Sequence, residues 1–235
     1  MNQRLNRQTV FRDLRLEPDA AAQYLRLGHE LEAAWREAGV KVRFMRGDTP
    51  TEFLAASDKT RAAALGYLDL NLAILREMAK SGESPRDTKR YLWRAIKKLE
   101  LTPPADLLTY IESDDDIVEV YLLDEIQVFR SVRFFEISSL TIDEVLCKPW
   151  YRLVGRGWRP LLAMMRVVLR FRMGLIREPI PWGIPEHVAW EKETPERVHF
   201  MMKLKHFIPV RHQGRLVGMV GVNRSVPIPA PTKEA

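Results

Sequence analysis

The chain has a single cysteine in 235 residues, few aromatic residues (9%) and no long apolar run. Cys147 cannot close an internal disulfide, and without a second cysteine there is no thiolate zinc cluster and no C-x-x-C redox pair. Arg166, Arg170, Arg172 and Arg177 punctuate the greasiest region, so nothing approaches the roughly 18–20 apolar residues that cross a bilayer. The opening MNQRLNRQTVFRDLRLEPD is basic but has no apolar segment after it, so a secretory signal is not expected and the expected location is the cytoplasm. Phosphate-binding chemistry lacks its glycine-rich loop, because GRGW at Gly155 is too short for one. No paired-carboxylate, Ser/His/Asp or metal-ligand spacing is present. Asp114, Asp115 and Asp116 diverge as successive residues must, and read as a solvated acidic turn. The expectation is a non-enzymatic protein with no metal.

What is present is an ordinary globular composition, 46% apolar and 29% charged, enough for one large or two small domains. Ala20, Tyr24, Leu27, Leu31, Ala34 and Trp35 recur at helical spacing between Asp19 and Ala38, with Gly39 as a stop. Thr51 to Lys80 repeats the pattern through Phe53, Leu65, Leu68, Leu72, Leu75 and Met78. Ser84 as N-cap, Pro85 at the first helical position and Asp87 predict a third helix to about Leu101, and Ala105 to Ile111 a short fourth.

The period then changes. IVEVYLL and EIQVFRS read as a hairpin turning at Asp124 and Glu125. VRFFEIS and LTIDEVL read as short helical turns, KPWYRLVGRG as a loop, and Trp158 to about Ile176 as a helix of roughly five turns. EPIPWGIPEH, with three prolines, must be extended. HVAWEKE, RVHFMMKLKHFIPVRH and RLVGMVGVNRSV complete a run of strands, the last two joined at Gln213 and Gly214. The final strand is apolar on both faces. Leu216, Gly218, Val220 and Val222 lie on one side and Val217, Met219 and Gly221 on the other, so both sides need cover.

In order, the second half is strand, strand, short helices, long helix, strand, long strand, strand. Three stretches, IVEVYLLDEIQVFRSVRFFEIS with its Phe134–Phe135 pair, SSLTIDEVLCKPWYRLV and FIPVRHQGRLVGMVGVNRSV, resemble the opening hairpin, the short helix and the closing hairpin of PAS domains. Arg224, Ser225 and Val226 stand where many PAS sequences end in Asp-Ile-Thr. The resemblance covers about 114–226 and implies an α+β fold: a helical N-terminal region followed by a five-stranded antiparallel sheet with helices on one face. The implied organisation is a helical region 1–82, connecting or dimerisation helices 84–111, the PAS-like domain 112–226 and a disordered tail 227–235. It further implies a sensory or regulatory protein that signals through protein contacts as a homodimer with a signalling partner, with a small-molecule ligand held between sheet and long helix.

Candidate lining residues for such a pocket are Phe135, Cys147, Trp150, Leu161, Met165, Val168, Met202 and His206. The long helix has no histidine to ligate haem, and Cys147 in EVLCKPW lacks the setting of a flavin-adduct cysteine, so both cofactors are disfavoured. Charge supplies the remaining clue. From Lys148 to Glu178 one Lys and seven Arg face a single Glu, more positive charge than the chain's net +6. Arg159, Arg166 and Arg170 share one helical face, either paired with the acidic ESDDDIVE or open to an anionic partner. A nucleic-acid-associated regulator using 158–176 is therefore a second reading. A carrier or enzyme of the NTF2-like type, with His206 near Asp143 or Glu144, is a third.

Overall fold

The computed structural model describes residues 19–123 and 126–230. The hairpin tip at Asp124 and Glu125, the basic opening segment and the last five residues lie outside them. Helices α1 (Ala20–Glu37), α2 (Thr51–Ala55), α3 (Asp58–Lys80) and α4 (Thr88–Lys98) come first, then a 3-10 turn at Leu107–Tyr110. Strands β1 (Asp116–Leu122) and β2 (Gln127–Arg130) follow, then α5 (Val132–Ile137), α6 (Ile142–Cys147), α7 (Trp150–Leu153), β3 (Val154–Arg156) and α8 (Trp158–Arg172). The chain closes with β4 (Ile180–Pro181), β5 (His187–Glu191), β6 (His199–His212) and β7 (Arg215–Ile228).

The fold is mixed helix and sheet, with one curled antiparallel sheet. Its strand order is β2-β1-β7-β6-β5-β3, and β4 pairs separately with β6. The expected five strands are thus exceeded. KPWYRLVGRG, read as a loop, carries α7 and the edge strand β3, and the proline-rich segment contributes β4. Strand β7 runs two residues past the expected domain end at Val226. Among the described residues no helix is long and apolar enough to cross a membrane.

Two helix boundaries differ from expectation for local reasons. The Thr51–Lys80 pattern breaks at Ala56, and Ser57 caps the new helix by accepting from Thr60 N (3.3 Å). Ser84 is not an N-cap: it and Pro85 form a turn, and Asp87 caps α4 by accepting from Arg90 N (3.0 Å). Thr88 follows as the first helical residue, its own amide held by Asp114 (3.2 Å).

Both faces of β7 are covered. Val220 and Val222 pair with Val120 and Val118 of β1, on the face where Tyr91 of α4 meets Phe129 (4.8 Å between rings). On the same face Tyr110 covers His206 (4.9 Å). The apolar side of α4, with Tyr91, Leu92, Ala95 and Ile96 all buried, packs against α3 and the sheet, and Tyr91 Oη donates to Asn71 of α3. Within the segment 84–111 expected to connect or dimerise, the outward side of α4 presents Trp93, 39% exposed. Helices α1 and α3 pack against α5, α6 and β2, as in the Trp35–Phe135 contact (5.3 Å), and one continuous core joins them to the sheet.

Asp143 ties the two halves together. It is 3% exposed, and its carboxylate accepts from Tyr24 Oη (3.1 Å) and from the amides of Glu52 (3.2 Å) and Phe53 (3.1 Å) at the start of α2. Burial raises its pKa, and these donors only partly oppose the shift. Asp143→Ala leaves three donors without this acceptor, two of them buried, and is expected to cost about 1–3 kcal/mol in urea unfolding.

Candidate ligand cavity

The other face of β7 is the wall of a cavity. Met219, Gly221 and Asn223 point away from α4, and with Ile117, Glu119 and Tyr121 of β1 and Met202, Leu204 and Phe207 of β6 they bound a space of about 270 Å³. Trp150, Leu153 and Val154 close one side, and Met164, Met165, Val168 and Phe171 of α8 form the roof. The size lies near the lower end for small-molecule sites, and the lining is mostly apolar with a few convergent polar groups. Met165 (49% exposed), Leu169 (56%) and Tyr151 (50%) line the space and also meet solvent, which marks its opening along α8.

Three arginines and one carboxylate lie in this wall: Arg130, Arg156 and Arg172 against Glu119. Arg130 is 3% exposed and fully committed. Its Nη2 meets Glu119 Oε1 (2.9 Å) and donates to Tyr121 Oη (2.9 Å), and its guanidinium lies 3.9 Å from the Phe134 ring centroid. Burial alone would lower its pKa, but the charge of Glu119 outweighs that and raises it. The same burial pushes the Tyr121 phenol up, so it stays protonated.

Arg156 is placed differently. It sits on edge strand β3 opposite Ala189, which in turn faces Phe200, so its side chain enters the cavity. Nη1 rests against Met164 Sδ, Nη2 lies 3.9 Å from Met202 Sδ, and the guanidinium is 5.5 Å from the Trp150 ring centroid. Its Nε is shut off from solvent with no hydrogen-bond partner among the described residues. Burial lowers its pKa, an effect that Glu119 offsets only in part. A guanidinium does not deprotonate in a protein, so the charge persists.

Of the residues expected to line a pocket, Trp150, Met165, Val168 and Met202 do so. Four do not. Phe135 packs on Trp35 at the α1 side, and Leu161 lies on the outer part of α8, 37% exposed. Cys147 borders a separate hollow beside α3 and lies 3.7 Å from Tyr24 Oη, where burial raises its thiol pKa away from reactivity. His206 is turned to the opposite face by a register shift between Leu204 and His206, which inserts Lys205 as an extra residue. Nor do Asp143 and Glu144 join His206 as an NTF2-like site requires. Glu144 accepts from Thr141 N (2.8 Å) and pairs with Arg46 (3.0 Å), which anchors α6 to the chain before α2.

The sequence reading missed Glu119, Tyr121, Arg130 and Arg156. By alternation Glu119 and Arg130 look solvent-facing. The legible signal was an acid and a base at matching positions of one hairpin, which can satisfy each other on a covered face.

Of the basic helix α8 only Val167 and Phe171 are buried. Trp158 (70% exposed), Leu162 (46%), Met165, Leu169 and Met173 (56%) form an outward apolar stripe, with the exposed Arg159, Arg166 and Arg170 along one flank. The acidic run does not neutralise them. Asp114 holds α4, Asp115 pairs with Arg133 (3.1 Å), and Asp116 binds Lys205 and Arg224. No family model, curated protein or solved structure matches the chain.

Proposed function

We propose that the chain is a PAS-like sensory or regulatory module without enzymatic activity, in which a small molecule in the cavity is reported through α8 to an acidic protein partner. The strand order β2-β1-β7-β6-β5, with short helices and a long helix between β2 and β5, supports the PAS-like reading, to which β3 and β4 are additions. The observation that carries the function is that one helix does two things: Met164, Val168 and Phe171 roof the cavity, and Trp158, Leu162 and Met173 continue its exposed rim at Met165 and Leu169 into an outward apolar stripe flanked by arginines. An acidic, partly apolar protein segment complements both features. Nucleic acid would use the arginines alone, because an apolar stripe has nothing to meet on a phosphate backbone.

Because only Val167 and Phe171 of α8 are buried, its amides are expected to exchange faster than those of the central β6–β7 pair. They are expected to slow when octanol fills the cavity. Hydrogen exchange read by mass spectrometry checks this, and an α8 as protected as β6 whether or not octanol is bound would remove its reporting role. Strongly salt-dependent DNA binding that Arg166→Glu and Arg170→Glu abolish would transfer the helix to the nucleic-acid reading.

A further inference from the structure

A guanidinium that is largely buried and has no carboxylate hydrogen-bonded to it is an expensive arrangement. Arg156 has two sulfur atoms and an indole face for neighbours and an unsatisfied Nε–H, and the single carboxylate in the surrounding wall, Glu119, is bonded to Arg130 and offsets the Arg156 charge only in part. The fork of a guanidinium takes a carboxylate by two parallel N–H···O bonds. The rest of the wall is mostly apolar. Its other polar groups are Arg172 at the exposed edge, the hydroxyls of Tyr121 and Tyr151, the indole N–H of Trp182, and Asn223 and Ser225, which are bonded to each other (3.2 Å).

We propose that the cavity binds a monocarboxylic acid with a compact apolar body, the carboxylate held by Arg156 and the body lying between Phe207, Met219 and the inner side of α8. A single charge suits the site better than a phosphate monoester, which carries about −1.5 to −2 at neutral pH. Arg130, the other deep guanidinium, is already neutralised by Glu119. The space, about 270 Å³ against a liquid-water share of about 30 Å³ per molecule, accommodates a body of roughly eight to ten carbons. The inference rests on the reading of this cavity as a ligand site.

The test compares octanoate and phenylbutyrate with octanol and phenylbutanol, using isothermal calorimetry and thermal unfolding of the full chain. Octyl phosphate is included as the doubly charged arm. At least one acid is expected to bind 10- to 100-fold tighter than its alcohol. Arg156→Met is expected to erase that difference by weakening the acid while leaving the alcohol unchanged, and Arg156→Lys to restore part of it. Without ligand, Arg156→Met is expected to be as stable as the parent or more so, since it removes a buried charge that Glu119 compensates only in part. Equal affinities for acid and alcohol would overturn the inference while leaving a ligand cavity. Absence of binding by all four would overturn both. Tighter binding of octyl phosphate than of octanoate would overturn the carboxylate assignment, and a ligand-free Arg156→Met that is less stable than the parent would show the guanidinium to be structural.

Discussion

Replacing Asp116 with asparagine is expected to remove about 3–5 kcal/mol of stability, a fall in Tm of roughly 6–20 °C for a chain of this size. Asp116 opens β1 and is completely buried. Its carboxylate accepts from Lys205 Nζ (2.8 and 3.0 Å), from Arg224 Nε (3.2 Å) and from the amides of Glu112 (2.8 Å) and Ser113 (3.3 Å). Asparagine keeps one acceptor and turns an NH₂ toward donors. Lys205, 8% exposed, would keep only Glu112 (2.6 Å), whose side chain is largely in solvent. Lys205→Met should cost less, because Asp116 would retain Arg224 and both amides. Urea unfolding with an unchanged m-value checks both variants, and a loss below about 1 kcal/mol for Asp116→Asn would mean that water reaches this cluster in solution.

The same group sets a pH dependence. Burial alone would raise the Asp116 pKa, but the Lys205 and Glu112 hydrogen bonds outweigh it and hold it below the ordinary carboxylate range. A depressed carboxyl contributes stability that is present above its unfolded value of about 3.9 and lost as pH falls through the folded value. Asp143 works in the opposite sense: its raised folded pKa favours folding below about 3.9, and that contribution is lost as pH rises through the folded value. The stability gap between parent and Asp116→Asn is therefore expected to be widest near neutral pH and to close below about pH 4, whatever Asp143 does in both proteins.

Lys205 also shows why part of the fold was legible and part was not. Strict alternation along β6 places Lys205 outward and His206 inward, and the register shift after Leu204 reverses both. A bulge leaves the composition of a strand intact, so period-2 reading cannot see it. The β1–β2 hairpin, α5, α6, α8 and the β6–β7 pair were readable because each carries its own period, cap or turn. Even the difficulty of β7, apolar on both faces, pointed correctly to a strand covered twice. Arg156 was hidden because it stands on a three-residue strand, and such a strand exists only through pairing with β5. The cavity itself has no local signature. It arises where α8 is held off the sheet, and the side chains that meet there come from eight segments of the chain.

Gly28→Ala is the second large effect, and it runs against helix propensity. Glycine inside α1 costs the helix about 1 kcal/mol relative to alanine, so on an exposed face the change would stabilise. Here a methyl group at position 28 falls within the ring of Phe44, overlapping three of its carbons. Phe44 cannot retreat cheaply. It is fully buried, its ring lies 5.2 Å from Tyr24, and its carbonyl accepts from Asp143 N (2.9 Å) at the start of α6. Tyr24 in turn stacks on Phe53 of α2 (3.9 Å), so a displaced ring disturbs α1, α2 and α6 together. With overpacking at about 1–3 kcal/mol and loss of a whole buried phenylalanine at about 3–5, the net loss is expected to be about 2–4 kcal/mol. Phe44→Leu alone should also destabilise, but in the Gly28→Ala background it should recover stability, giving a coupling of more than about 1 kcal/mol in a double-mutant cycle. A stable Gly28→Ala variant with additive behaviour would mean that α1 can shift away from Phe44, and that the contact between the N-terminal helices and α6 is looser than the close approach of Gly28 to the ring indicates.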